Sequence, residues 1–237
     1  MGNGFWTMLG WVIAASGVGF GISAVFAGRM NLSRHSFLIP YVSLVSIFLC
    51  AFFLLSEVDL PAILAKNVVW GILTGGVVSL FLVKTVRSQP LSRNTYGVEL
   101  ALDMTWAGLV YGIVDSLFLN VMPVIAIWIG GSQFAWSSTV AGKIGLALLG
   151  LVASLLVTLT YHLGYQEFRN KNVMLVLMGN SLITLAYLLS GNPLGSIVSH
   201  TAMHVAAVLQ GPETTIQLPP HYQVQQCNIR KKVPNFE

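Results

Sequence analysis

Residues 37–56 read FLIPYVSLVSIFLCAFFLLS, twenty positions without one charged side chain. About 20 mostly apolar residues wound as an α-helix cross the hydrocarbon core of a bilayer. Working outward, the same texture recurs at 5–28, 67–84, 104–130, 142–165, 173–190 and 192–210. Between these runs stand the breakers and charges of loops, such as Arg29 to His35, Ser56 to Lys66, Lys84 to Gly97 and Gly191-Asn192-Pro193. The expected fold is therefore all-α, a polytopic transmembrane helix bundle of about seven spans over residues 1–210. A polar tail rich in proline follows at 211–237.

Composition points the same way. Hydrophobic residues make up 55% of the 237 and charged residues 8%, against roughly 25% charged in a soluble domain. So little charge cannot clothe a water-facing surface, so the solvent around most of the chain is membrane lipid. The net charge of +4 does not point to nucleic acid, because the basic residues are scattered and form no stripe with interleaved aromatics. Cys50 and Cys227 suggest no disulfide framework. The first apolar run has no basic segment ahead of it and reads as a retained helix.

The basic residues instead give an orientation. Ten of the twelve Lys and Arg fall in alternate connections: Arg29 and Arg34, then Lys84, Arg87 and Arg93, then Arg169 and Lys171, then Arg230, Lys231 and Lys232. Lys66 and Lys143 alone fall on the other side. Positive charge stays on the cytoplasmic side, which places the N-terminus outside and the tail in the cytoplasm. Gly17, Gly19, Gly21, Gly75 and Gly76 are expected at close helix contacts, and Pro123 is expected to kink or split the long run 104–130.

Ionisable groups inside spans are costly and default to functional candidates. His200 and His204 are one helical turn apart on one face, a spacing that suits two ligands of one metal. It also suits two histidines hydrogen-bonded within the bundle. Asp115, deep in the fourth span, must be neutral, paired or ion-bound. His162 falls near the cytoplasmic end of the fifth span, where a lone interfacial histidine is the plainer reading. Glu99 and Asp103 lie a turn apart where the fourth helix begins, lining a polar entrance, adding to a metal site, or pairing with nearby Lys84, Arg87 or Arg93. Asp115 is roughly 18 Å along the helix from Asp103, so Asp115 and the three histidines can meet in the cytoplasmic half of the bilayer.

The order of Asp115, then Thr158-Leu-Thr-Tyr-His162, then His200-Thr-Ala-Met-His204 resembles the CAAX protease and bacteriocin-processing (CPBP) family of intramembrane metalloproteases. The likeness covers about residues 98–210. The family pattern is Glu-Glu-x-x-x-Arg, Phe-x-x-x-His and His-x-x-x-Asn. Here the first part reads Val114-Asp115-Ser116-Leu117-Phe118-Leu119, with the leading glutamate missing, the second acid shortened to Asp and the arginine replaced by Leu. The second keeps only its histidine, and the third carries His204 in the asparagine position.

The resemblance implies hydrolysis of a peptide bond near the cytoplasmic face of a bacterial plasma membrane. Asp115 would be the catalytic carboxylate and His162, His200 and His204 the metal ligands, a set suited to Zn2+. The substrate would be a membrane protein or peptide. Two other classes fit the residues: a non-catalytic relative acting through partner binding, and a small-solute or metal-ion transporter, which would need a continuous polar path.

Overall fold

The computed structural model describes residues 4–211 and 217–219. No strand occurs among them. Eight helices follow one another: α1 Phe5–Arg29, α2 Arg34–Leu55, the short α3 Leu60–Ala65, α4 Val68–Arg87, α5 Gly97–Gly131, α6 Val140–Leu163, α7 Asn172–Ser190 and α8 Leu194–Gln210. Six of them, α1, α2, α4, α5, α6 and α7, are long and apolar enough to cross a membrane. The seventh expected span is α8, whose 17 residues fall outside that group. At about 1.5 Å per residue it runs about 25 Å, short of the roughly 30 Å hydrocarbon core.

The outer surface of the bundle is apolar. Ile47, Leu54, Leu80 and Leu189 are each at least 66% exposed. Water-soluble proteins rarely expose contiguous apolar patches beyond a few hundred Å²; this surface is that of a multi-pass integral membrane protein. Turning inward, α5 runs through the middle of the bundle, and residues 118–127 are buried on every side. A helix apolar all round belongs at such a centre.

Contacts between connections sort the two ends. At one end Asp103 meets His35 and the Ser92 N–H donates to Gln210 O at 2.9 Å. Arg34 donates from Nε to Pro219 O at 3.1 Å and from Nη2 to Leu218 O at 3.3 Å. This end carries Arg29, Arg34, Arg87 and Arg93. Leu218 is 1% exposed, so the described part of the expected tail packs onto the bundle rather than standing apart. The tail's Cys227, Arg230, Lys231 and Lys232 lie outside the described residues.

At the opposite end Phe5 meets Phe134 edge-on at 5.4 Å and Asn67 Nδ2 donates to Ser190 O at 3.3 Å. Trp6, Trp70 and Trp136 are exposed there, as in the aromatic belt of a membrane interface. Asn192 locks this end. Its Nδ2 donates to Leu64 O at 2.8 Å and to Lys66 O, and its Oδ1 accepts the Leu194 N–H at 2.8 Å. Asn192 is fully buried, so Asn192→Ala strands three polar groups. The expected loss is about 1–3 kcal/mol, read as a lower midpoint of thermal unfolding in detergent.

Close packing around α8 is what brings the candidate residues together. Gly71 and Gly75 of α4 face one side of it: a Cβ at Gly75 would stand 2.9 Å from Gly195 O and 3.0 Å from Val198 Cβ. Gly108 and Gly112 of α5 face another, where a Cβ at Gly112 would stand 2.9 Å from Thr201 Cα. Each pair is spaced as small-x-x-x-small, the pattern that lets membrane helices approach closely. Of the glycines expected at contacts, Gly19 and Gly75 are at them, while a Cβ at Gly17, Gly21 or Gly76 would meet no atom of another element within 4 Å.

Candidate functional site

Pro123 does not break α5. The helix instead widens into a π-helical turn over Leu117–Val121, with the Met122 N–H reaching Leu117 O five residues back. Proline has no N–H to donate, which leaves the Leu119 carbonyl without its helical partner. Ser154 Oγ of α6 supplies it, donating to Leu119 O at 2.7 Å. A π-turn brings residues five apart onto one face, so Asp115 and Asn120 both point toward α8. Pi-bulges of this kind often sit at functional sites.

The two residues flank one imidazole. His200 Nε2 stands 3.0 Å from Asp115 Oδ2, and His200 Nδ1 stands 3.0 Å from Asn120 Oδ1. His204, a turn later, stacks on His200 with ring centroids 4.8 Å apart, and its Nε2 lies 3.6 Å from the same Asp115 Oδ2. The other carboxylate oxygen, Oδ1, accepts the Tyr41 hydroxyl from α2. Asp115, His200 and His204 are all buried, with at most 3% exposure. Neither ring nitrogen of His204 has a hydrogen-bond partner among the described residues.

Donor atoms of Asp115, His200 and His204 lie within 4.8 Å of one another, and this group can hold a metal ion. Two ligands of tetrahedral zinc at about 2.0–2.1 Å stand about 3.3 Å apart, and the Asp115 separations of 3.0 and 3.6 Å bracket that value. A buried carboxylate beside two imidazoles, one with no hydrogen bond at either nitrogen, is a donor set that fits a divalent cation.

His162 is placed differently. It lines the same cavity as Asp115, His200 and His204, a space of about 550 Å³ among α4, α5, α6, α7 and α8. It is not one of the clustered donors, and its Nδ1 meets Thr158 O at 2.8 Å. Glu99 and Asp103 stand at the basic end, Glu99 exposed and Asp103 facing His35 Nε2 at 3.4 Å; neither lines the cavity. Much of the cavity wall is apolar. Phe81 of α4 and Leu175 and Met178 of α7 line it and are each more than half exposed, while Gln89 and Gln217 line it toward the basic end.

Tyr41 and Asn120, which hydrogen-bond Asp115 and His200, escape a reading that weighs only carboxylates and histidines. The available signal was an amide in an apolar run, Leu119-Asn120-Val121-Met122, just ahead of a proline. Asn180, Thr184 and Ser154 complete its surroundings: Asn120 Nδ2 donates to Asn180 Oδ1 at 2.8 Å and Thr184 Oγ1 at 2.9 Å, and Asn180 Nδ2 to Ser154 Oγ at 3.1 Å.

Fold and site together define an integral membrane helix bundle with a buried Asp–His–His cluster at the wall of a cavity. No protein-family model, curated protein or solved structure matches the chain.

Proposed function

We propose that Asp115, His200 and His204 hold a divalent cation, with zinc the best chemical fit, and that the protein is a membrane-embedded metal-dependent hydrolase. The observation that carries this reading is the convergence of Asp115 Oδ2, His200 Nε2 and His204 Nε2, three acceptor atoms gathered with all three side chains buried. Such a cluster is costly in hydrocarbon unless a cation or proton joins it. When bound, zinc supplies Lewis-acid chemistry, polarising a carbonyl and acidifying water.

The chain's own residues supply the rest. Tyr41 fixes Oδ1 of Asp115 and turns Oδ2 toward the histidines. With Asp115 among the donors, His162 is the imidazole left on the cavity wall to exchange a proton with a bound substrate. This exchanges the two roles that the CPBP resemblance suggests for Asp115 and His162. The resemblance and the cavity together support a peptide bond of a membrane protein or peptide as the target. The basic end would face the cytoplasm by the positive-inside rule, in the plasma membrane of a bacterium if the likeness holds.

A non-catalytic reading expects each histidine to be satisfied separately, and His162 with Thr158 O fits it; His204 does not. Elemental analysis of the purified protein decides between them. Near-stoichiometric zinc that disappears in a folded His200→Ala/His204→Ala variant is the expected result. No metal in either sample after incubation with zinc overturns the proposal.

A further inference from the structure

The amide chain behind His200 has only one consistent direction. Ser154 Oγ gives its hydrogen to Leu119 O, so it accepts from Asn180 Nδ2. Asn180 therefore turns Oδ1 toward Asn120 and accepts from Asn120 Nδ2 at 2.8 Å. Thr184 Oγ1 shares its hydrogen between Ser154 Oγ and Asn180 O, each at 2.9 Å, and in either case accepts the second Asn120 hydrogen at 2.9 Å. With both amide hydrogens committed, Asn120 presents its oxygen to His200 Nδ1. An amide oxygen has no hydrogen to give, so the imidazole must carry one at Nδ1.

The consequence reaches the far side of the ring. A neutral imidazole with its hydrogen on Nδ1 has its lone pair on Nε2, which lies 3.0 Å from Asp115 Oδ2. Turning the amide over would set Asn120 Oδ1 against Asn180 Oδ1, acceptor on acceptor, with all these residues buried. The network thus disfavours the other tautomer from two helices away.

We propose that Asn120, oriented by Asn180 and Thr184, is a positioning residue that holds His200 with its hydrogen on Nδ1 and so presents Nε2 beside Asp115 Oδ2 as a pair of donors for a cation. Its purpose rests on the metal reading above; its geometry does not. Outer partners of ligating histidines typically change metal affinity about ten- to a hundredfold when lost.

Nitrogen NMR of histidine-labelled protein in detergent tests this, with the His200 signals assigned by their absence in His200→Gln. The expected spectrum shows a hydrogen on His200 Nδ1 with and without added zinc. In Asn120→Leu that signal gives way to a mixture of forms and zinc affinity falls about ten- to a hundredfold. Asn120→Asp keeps the Nδ1 hydrogen, because a carboxylate can only accept. A native His200 without hydrogen on Nδ1 overturns the proposal, as does an Asn120→Leu protein with native spectrum and affinity. If Asn120→Leu does not fold, the native spectrum alone decides. Native protein that takes up no zinc removes the metal reading, and the same sample's spectrum still decides whether Asn120 sets the tautomer.

Discussion

Asp115→Asn is expected to abolish zinc binding while leaving the metal-free protein at least as stable as the native one. The two side chains have the same shape, so the Tyr41 hydroxyl keeps its acceptor at Oδ1. In place of Oδ2 an amide NH2 faces His200 Nε2 at about the native 3.0 Å, and a donor now meets a lone pair. The change also removes a buried charge, whose desolvation costs several kcal/mol when nothing compensates it. Affinity suffers in the opposite sense, because a neutral amide replaces the one anionic ligand. The loss should exceed the ten- to hundredfold typical of outer-shell changes. Thermal unfolding with and without zinc reads both effects. Ligand at a hundred times its dissociation constant adds about 2.7 kcal/mol to the native state, so zinc should raise the native midpoint and leave the variant's unmoved. A variant that still responds to zinc would show that Asp115 is not a ligand.

Gly112→Val should destroy the same response without replacing any of the three clustered side chains. A Cβ there would stand 2.9 Å from Thr201 Cα and 3.4 Å from His204 Cδ2. The first of these is backbone of α8, which cannot rotate aside as a side chain would. Overpacking of this kind costs about 1–3 kcal/mol, and relief requires α8 to move away from α5, carrying His200 and His204 off Asp115. Gly76→Val is the matched control, since nothing lies within 4 Å of a Cβ there. Loss of the zinc-induced shift in Gly112→Val alone ties the site to helix spacing; equal behaviour of both variants refutes the link.

Six of the seven expected spans were legible because lipid exposure imposes a crude requirement, long runs with almost no charge, that residues 37–56 and five counterparts meet individually. Asp115, His200 and His204 were legible because ionisable groups are rare in such runs. Their mutual approach was not, since it depends on Gly108 and Gly112 of α5 meeting α8, a contact between segments far apart in the chain. His162 was grouped with the ligands by motif order, yet it sits elsewhere on the cavity wall, because depth arithmetic fixes height in the bilayer and not the direction a helix faces. The π-turn was hidden for another reason. Pro123 announces a disturbed helix, but whether the chain bends, breaks or widens depends on who satisfies the Leu119 carbonyl, and Ser154 is on a different helix. Tyr41 and Asn120 carry no charge and so gave no sign of their place against Asp115 and His200.

The clamping of α8 between two glycine faces also makes the cluster depend on a single docking contact. Asn120 and His200 are 80 residues apart, and the histidines belong to the last of the described helices. Without α8 in place, Asp115 keeps its hydrogen bond to Tyr41 but has neither imidazole beside it. The cluster is complete only once α8 is docked. If it binds a cation as proposed, capture would be tied to completion of the bundle, and a chain lacking a docked α8 would carry a half-made centre with little hold on an ion.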